Sequence, residues 1–341
     1  MTADEKYMQR ALELGQLGLG HVSPNPLVGC VIVHDDIIIG EGWHKQYGKA
    51  HAEVNAITDV EDKSLINQST VYVNLEPCAH VGKTPPCADL LIKSGVKRVV
   101  IANEDPNPLV NGKGIQKLLD ANIEVEGGLC SVAGLQLNKR FFNFMRNKRP
   151  FIILKWAQTA NGLIARENFD SKWISNEFSR QLVHKWRAEE DAILVGFNTA
   201  ANDNPQLSVR DWKGKNPVRI VIDSQLQLSR SLHLFNQSQQ TICYNFLKNE
   251  DRTNLIFVRL EQDNWIQGLL TDLFNRKIQS VIIEGGAKTL NLFLKCNLWD
   301  EARVFTSSKT FGKGIPAPAM ANIPYCSERI QGDELNFYNN Y

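Results

Sequence analysis

The chain has 341 residues, 43% hydrophobic and 22% charged, which supplies apolar material for two cores. Lys and Arg number 38 against 37 Asp and Glu, a formal net charge of +1, so no overall field draws the chain to nucleic acid or to an anionic membrane. The acidic start MTADEKYMQRALELG lacks the basic and apolar segments of a secretory signal, no stretch is apolar for long enough to span a bilayer, and seven Cys without close spacing fit a reducing cytoplasm.

Met8, Ala11, Leu12 and Gly15 recur at helical spacing and predict an amphipathic helix over 4–18. LVGCVIV (27–33) and IIIGEGW (37–43) flank His34-Asp35-Asp36 and predict a hairpin. A helix opens at His51 with HAEVNAI. STVYVNLEP (69–77) reads as a strand, CADLLIKSG (87–95) as a helix stopped by Gly95, and VKRVVIA (96–102) as a strand. GIQKLLDAN (114–122) is another helix and IEVEGG a short strand, and a single helix is expected from about Ser131 to Arg146. The charged stretch RNKRP closes on Pro150 and marks a boundary, giving domains 1–147 and 148–341.

In the second half, FIILKWAQ (151–158), AILVG (192–196), VRIVIDS (218–224), QTICYNF (240–246) and SVIIEGG (280–286) read as strands. Ser175 or Asn176 caps a helix running to Ala188, and further helices fall near 264–275 and 287–295. The class is α/β throughout, with strands apolar enough for sheets covered on both faces. Cys30, Cys130, Cys243, Cys296 and Cys326 lie in or near apolar segments and are expected as buried small hydrophobes.

Three pieces carry chemistry: His51-Ala52-Glu53 at a helix start, Pro77-Cys78 at a strand end, and Pro86-Cys87 opening the next helix. Imidazole and thiolate suit tetrahedral zinc, and three protein ligands leave one position for water, the mark of a catalytic site. A helix N-terminus favours a thiolate. His51, Cys78 and Cys87 are therefore the expected ligands, with His80 as the rival third. Cys87 is preferred because Cys after Pro at a helix start repeats the setting of Cys78. Glu53, two residues from His51, is free to carry a proton between water and the leaving amine of a ring. Eight residues, AHVGKTPP, separate the two cysteines, where a nucleic-acid deaminase pattern has two. A closed structural zinc site would instead recruit His80 or His44 as a fourth ligand.

PNPLVGCVIV (24–33), GEGWH (40–44), HAEVNA (51–56), LEPCAHVGKTPPCADLL (75–91) and EDPNPLVNGKG (104–114) resemble the bacterial bifunctional riboflavin-biosynthesis deaminase–reductases. GKTPPC is the most discriminating phrase. The resemblance implies a cytidine-deaminase-like α/β/α sandwich acting on a diaminopyrimidinone that carries a phosphoribosylamino group. It places Asn25, His44, Lys83, Asp105 and Asn107 around that substrate. Asn25 and Asn107, each beside a Pro, also fit a plain turn role.

LKWAQTANGLIA (154–165), DSKWIS (170–175), AILVGFNTAANDNPQLSVR (192–210), RIVIDS (219–224) and IIEGGAKTL (282–290) extend the resemblance to the family's reductase domain. That domain is similar in fold to dihydrofolate reductase, and the resemblance implies NADPH as hydride donor. Ala157, Trp173, Thr199, Asp203 and Ser224 would then line the NADP site, with the turn formed by Gly286, Ala287, Lys288, Thr289, Leu290, Asn291 and Leu292. Ser171, Arg187, Leu207, Arg210 and Glu284 would meet the sugar phosphate, and Lys155, on the strand before Asn161, would also face the substrate. Read from residues alone, Gly285-Gly286 between a strand and a helix is either an anion-binding turn or a tight connection. Asn161 stands where the family commonly has Asp, and is read as a turn residue. The resemblance further implies a cytoplasmic homo-oligomer that works on a small molecule, with neither nucleic acid nor membrane as partner. The competing reading is a monofunctional zinc nucleobase or nucleic-acid deaminase with a C-terminal phosphate-binding domain. A zinc-stabilised scaffold is the non-enzyme option.

Overall fold

The computed structural model describes residues 1–80 and 85–340. The chain divides into two compact units, Met1–Lys148 and Arg149–Tyr341.

The first unit opens with α1 (Ala3–Gln16), fixed at its start by a capping box in which the Thr2 hydroxyl accepts the Glu5 N–H and the Glu5 carboxylate accepts the Thr2 N–H. The hairpin of β1 (Gly29–His34) and β2 (Ile37–Trp43) turns through Asp35 and Asp36, both left-handed at φ 47 and 59. There follow α2 (Ala52–Asp59), β3 (Thr70–Leu75), α3 (Cys87–Ser94), β4 (Arg98–Asn103), α4 (Lys113–Asp120), β5 (Glu124–Gly127), α5 (Ser131–Leu137) and α6 (Lys139–Asn147). Five strands lie in the order β2-β1-β3-β4-β5, antiparallel through β3 and parallel from β3 to β5.

Both faces of this sheet are covered, which is why its strands read as unbroken apolar runs. Cys30 and Ile32 pack with Ala52, Ala56, Leu91 and Leu118 on one side. Val31 and Val33, pointing the other way, pack with Met8, Ala11 and Leu12. Two glycines of GEGWH set the approach of α2. A Cβ on Gly40 would overlap the backbone of Ala56, and one on Gly42 the backbone of Ala52 and Ala56. The helix bearing HAE thus sits flush on β2.

The helix expected over 131–146 is broken at Asn138, where φ is −100 and ψ 20. The cause is a buried hydrogen-bond pair. The Asn138 carboxamide accepts the Leu27 N–H at 2.8 Å and donates to the Leu27 carbonyl at 2.9 Å. Asn74 also donates to that carbonyl at 2.9 Å, so two buried side chains pin the segment leading into β1.

The second unit comprises β6 (Phe151–Gln158), β7 (Leu163–Arg166), α7 (Glu177–Glu189), β8 (Ala192–Gly196), α8 (Phe197–Asp203), β9 (Val218–Ile222), β10 (Thr241–Asn245), β11 (Glu250–Arg252), β12 (Leu255–Arg259), α9 (Trp265–Asn275), β13 (Ser280–Ile283), α10 (Ala287–Lys295), β14 (Glu301–Thr306), β15 (Gly314–Pro316), β16 (Cys326–Ile330) and β17 (Asp333–Asn339). Ten strands form one sheet, β11-β12-β10-β9-β8-β13-β6-β14-β17-β16, parallel from β12 to β14 with antiparallel strands at both edges. Asn176 caps α7 by accepting the Ser179 N–H at 2.9 Å.

The antiparallel C-terminal strands depart from the expectation of a sheet covered on both faces, because β16 is largely exposed. Cys326 lies on that strand and Cys296 just beyond the last turn of α10, so both are exposed, whereas Cys30 and Cys243 are buried as expected. Among the described residues no helix is long and apolar enough to cross a membrane.

Candidate active sites

In the first unit the sheet delivers three ligand-bearing residues to one point. His51 is the N-cap of α2, Cys78 follows the end of β3, and Cys87 is the first residue of α3. Their ligand atoms all lie within 4.8 Å of one another. The His51 Nδ1 is 3.6 Å from Cys78 Sγ and 3.3 Å from Cys87 Sγ. The Cys87 backbone N–H points at Cys78 Sγ from 3.3 Å, as the free N–H of a helix start should toward a thiolate. Hydrogen bonding from the Cys87 thiol, helped by His51 and this N–H, holds the Cys78 thiol below the ordinary thiol range.

Glu53, on the first turn of α2, is buried, and its Oε2 has no hydrogen-bond partner. Burial, reinforced by the charge of Cys78, pushes its carboxyl upward. Clustered thiolate and imidazole donors beside an unpartnered buried carboxylate oxygen fit zinc and a proton-carrying group next to it. His80 is exposed and stands outside this cluster, whose third member is Cys87. Lys83 lies outside the described residues.

The other residues expected around a pyrimidine are placed by local bonds. The Asn25 side chain meets His44 Nε2 at 3.1 Å, and His44 Nδ1 meets the Ala50 carbonyl at 3.0 Å. The His44 ring packs edge-on to His51, with centroids 5.3 Å apart. Burial, partly offset by the Asn107 N–H and assisted by the charges of Glu76 and Cys78, pushes the Asp105 carboxyl up to about 7. Asn107 takes its turn role, its Oδ1 accepting the Leu109 N–H at 3.1 Å. Glu76, in the EPC phrase, had no role assigned from sequence. It is buried, and its carboxylate faces the loop that carries Asp105 and Asn107. A charged residue closing an apolar strand was the available signal.

The second unit holds a cleft of about 1220 Å³ at the C-terminal ends of β6, β8, β9 and β13, where open parallel sheets bind ligands. Its lining includes Ala157, Trp173, Thr199, Asp203, Ser224, Gly286, Ala287, Lys288, Thr289, Leu290 and Leu292 on the expected cofactor side. Lys155, Ser171, Arg187, Leu207, Arg210 and Glu284 line it too. Asn291, on the second turn of α10, is not part of the lining. Gly285 has φ +119, a conformation reserved for glycine, and α10 starts at Gly286 without a side-chain cap. Those uncapped N–H groups and a cleft of this size fit a phosphate-bearing dinucleotide.

Three charged side chains of the cleft, Lys155, Arg187 and Glu284, interact with one another. Arg187 grips Glu284 with two bonds, Nε to Oε1 at 3.1 Å and Nη2 to Oε2 at 2.8 Å, and its Nη1 reaches the Ser208 carbonyl at 3.2 Å. Burial would raise Glu284, but the charges of Arg187 and Lys155 outweigh it and hold the carboxyl at about 2. Burial pushes the Lys155 ammonium down, with Glu284 opposing and Arg187 adding to the effect. Arg210 makes only neutral contacts by hydrogen bonding, including Ser208 Oγ at 3.2 Å, and its backbone N–H donates to His184 Nδ1 at 3.2 Å. His184 also lines the cleft, and it was not picked out from sequence because its partners are distant in the chain. Trp173 is 61% exposed at the rim, with the Arg180 guanidinium 4.6 Å above its ring, so it is not a core aromatic.

Asn161 acts outside the lining. Its Nδ2 donates to the Phe311 carbonyl at 2.6 Å while its Oδ1 accepts the Phe311 N–H at 3.2 Å and the Thr159 hydroxyl at 2.7 Å. An Asp could only accept. The Asn at this position therefore serves a turn that needs both a donor and an acceptor.

A family model described as the cytidine and deoxycytidylate deaminase zinc-binding region matches residues 1–103, and one described as the RibD C-terminal domain matches residues 150–323. The chain is 41% identical over 318 residues to the riboflavin biosynthesis protein RibD of Aquifex aeolicus, covering 92% of this chain and 89% of that one. Among solved structures, it is similar to a diaminohydroxyphosphoribosylaminopyrimidine deaminase/5-amino-6-(5-phosphoribosylamino)uracil reductase from Thermotoga maritima. That likeness has a TM-score of 0.90 and 37% identity, over 99% of this chain and 98% of that one. RibD from Acinetobacter baumannii is similar at a TM-score of 0.89 and 35% identity, over 98% of both chains.

Proposed function

Because the chain belongs to the RibD family of bifunctional deaminase–reductases of riboflavin biosynthesis, we propose two successive reactions for it. The first unit hydrolyses the C2 amine of 2,5-diamino-6-(5-phosphoribosylamino)pyrimidin-4-one to give 5-amino-6-(5-phosphoribosylamino)uracil. The second unit reduces the ribosyl group of that product to ribityl with NADPH. The observation that carries the reading is the His51, Cys78 and Cys87 cluster beside the unpartnered Oε2 of buried Glu53.

His51, Cys78 and Cys87 would hold zinc, which would supply the Lewis acidity that makes a water nucleophilic near neutral pH. Glu53 moves the protons. Its Oε2 takes one proton from water and passes it to the ring nitrogen, then takes the second from the added hydroxyl and passes it to the departing amine, so water and amine become carbonyl oxygen and ammonia. The pKa raised by burial suits a group that must both take and release a proton. Asn25, His44, Asp105 and Asn107 orient the base.

In the second unit, the turn from Gly286 to Leu292 with Ala157, Trp173, Thr199, Asp203 and Ser224 would hold NADPH, which would supply the hydride. Opening the ribose leaves an alkoxide that needs a proton. Lys155, recessed in the cleft with a lowered pKa, is placed to give it. Arg187 is paired with Glu284, and Arg210, whose side-chain hydrogen bonds go to neutral groups, is placed to meet the sugar phosphate, with Ser171 and Leu207 completing that side. The enzyme acts in the cytoplasm as a homo-oligomer on this small molecule, without nucleic acid or membrane as partner.

The test supplies the diaminopyrimidine with and without NADPH and follows product mass. Exchange of an amine for oxygen is expected in both samples, and a further gain of two hydrogens only with NADPH. Absence of that gain overturns the reductase half.

A further inference from the structure

We propose that Glu76 is a positioning residue for deamination, holding the loop that carries Asp105 and Asn107 in fixed relation to Cys78. The inference rests on the deaminase reading above and assigns a residue that the reading leaves idle.

Glu76 is 4% exposed, and its hydrogen bonds among the described residues come from backbone N–H groups. Backbone donors surround its carboxyl group. Its Oε1 accepts the N–H of Gly114 at 2.9 Å and of Ile115 at 3.3 Å, and its Oε2 accepts the N–H of Gly112 at 3.0 Å and of Asp105 at 3.2 Å. An ionised carboxylate is an acceptor with about four lone-pair sites, and here four N–H groups reach it. Bonds to a charged acceptor are the stronger kind. Gly114 and Ile115 also belong to the first turn of α4, where negative charge is favoured.

The four donors come from both ends of the segment 105–115, so a single side chain closes that loop. Two further contacts tie it to the metal-ligand segment. A Cβ on Gly114 would overlap the Pro77 carbonyl, so the loop sits flush against the residue preceding Cys78. The Glu76 N–H donates to the Asn103 carbonyl at 2.9 Å, joining the ends of β3 and β4. Beyond the clamp the order continues, because Asp105 Oδ1 accepts the Asn107 N–H at 2.8 Å. The polar groups that would read the base edge are thus set by the protein before substrate arrives. Such pre-organisation acts on substrate affinity through geometry.

Glu76→Gln tests this in the full-length, zinc-loaded enzyme. The amide keeps one acceptor oxygen and turns an NH2 group toward two N–H donors. Zinc should stay at the wild-type level, KM for the diaminopyrimidine should rise about tenfold to a hundredfold with kcat changed about threefold or less, and the amides of Asp105, Gly112, Gly114 and Ile115 should exchange hydrogen faster. Loss of zinc, a fall in kcat at unchanged KM, or wild-type KM and exchange would each overturn the assignment. Gly112→Ala strains the loop from its own side, at φ +73, without touching the carboxylate. If Glu76→Gln fails to fold, that variant decides, since a raised KM supports the clamp and a wild-type KM overturns it. A wild-type enzyme that leaves the pyrimidine untouched sinks the deaminase reading instead, and the exchange rates still judge the clamp.

Discussion

The side-chain amide of Asn25 stands 3.1 Å from Nε2 of His44. Since His44 Nδ1 donates to the Ala50 carbonyl, Nε2 is the accepting nitrogen and Asn25 the donor. The pair fixes one neutral tautomer of a ring packed edge-on against His51. Asn25→Ala removes the donor and frees the ring. KM for the pyrimidine should rise about tenfold, the value of one ordinary hydrogen bond, while zinc content stays the same. Steady-state kinetics with metal analysis check both.

Gly42→Ala places a methyl group where α2 lies against β2. Overpacking of this kind costs about 1–3 kcal/mol. The helix that moves carries Glu53 and is capped by His51. Zinc content and deamination should therefore fall together, while NADPH-dependent reduction of supplied aminouracil persists. Unchanged zinc content and deamination would show that the close approach of α2 is immaterial.

Much of this was legible in local sequence, where the chemistry is local. His51, Glu53 and the two Pro-Cys steps announce themselves by residue type and position at element ends. The hairpin turn at Asp35-Asp36 and the Asn176 cap were legible for the same reason. What stayed hidden depends on partners far along the chain. Asn138 breaks a helix because it binds Leu27, 111 residues away. Glu76 reads as one more acid until its donors, 29 to 39 residues on, fold against it. The strands β16 and β17 carry polar, partly exposed residues, so apolar runs do not reveal them.

Asn161→Asp exchanges a donor for a second acceptor opposite the Phe311 carbonyl. Phe311 is buried, so the loss falls in the range of about 1–3 kcal/mol for an unsatisfied buried group. Thermal unfolding of the variant should begin at lower temperature, with NADPH affinity little changed because Asn161 does not line the cleft. A Tm equal to the wild type would contradict the donor role.

Acid should weaken the second unit through Glu284. Its carboxyl sits at about 2 against an ordinary 4.5. Between those values the unfolded chain binds a proton that the folded chain refuses, so stability falls as pH drops through that window. The stabilisation at neutral pH is on the order of 3 kcal/mol, at about 1.4 kcal/mol per tenfold change in proton affinity. Urea unfolding across this range should show a smaller loss in Glu284→Gln than in the wild type, other carboxylates with lowered pKa values contributing equally to both. The variant should also be less stable at neutral pH, with Arg187 and Lys155 left facing each other.

Product mass from Glu53→Gln, read together with its zinc content, tests the central claim most directly. The variant should retain zinc, leave the diaminopyrimidine amine in place, and still add two hydrogens to supplied aminouracil when NADPH is present. Exchange of the amine for oxygen at the wild-type rate would contradict the role given to Glu53, and with it the deaminase mechanism.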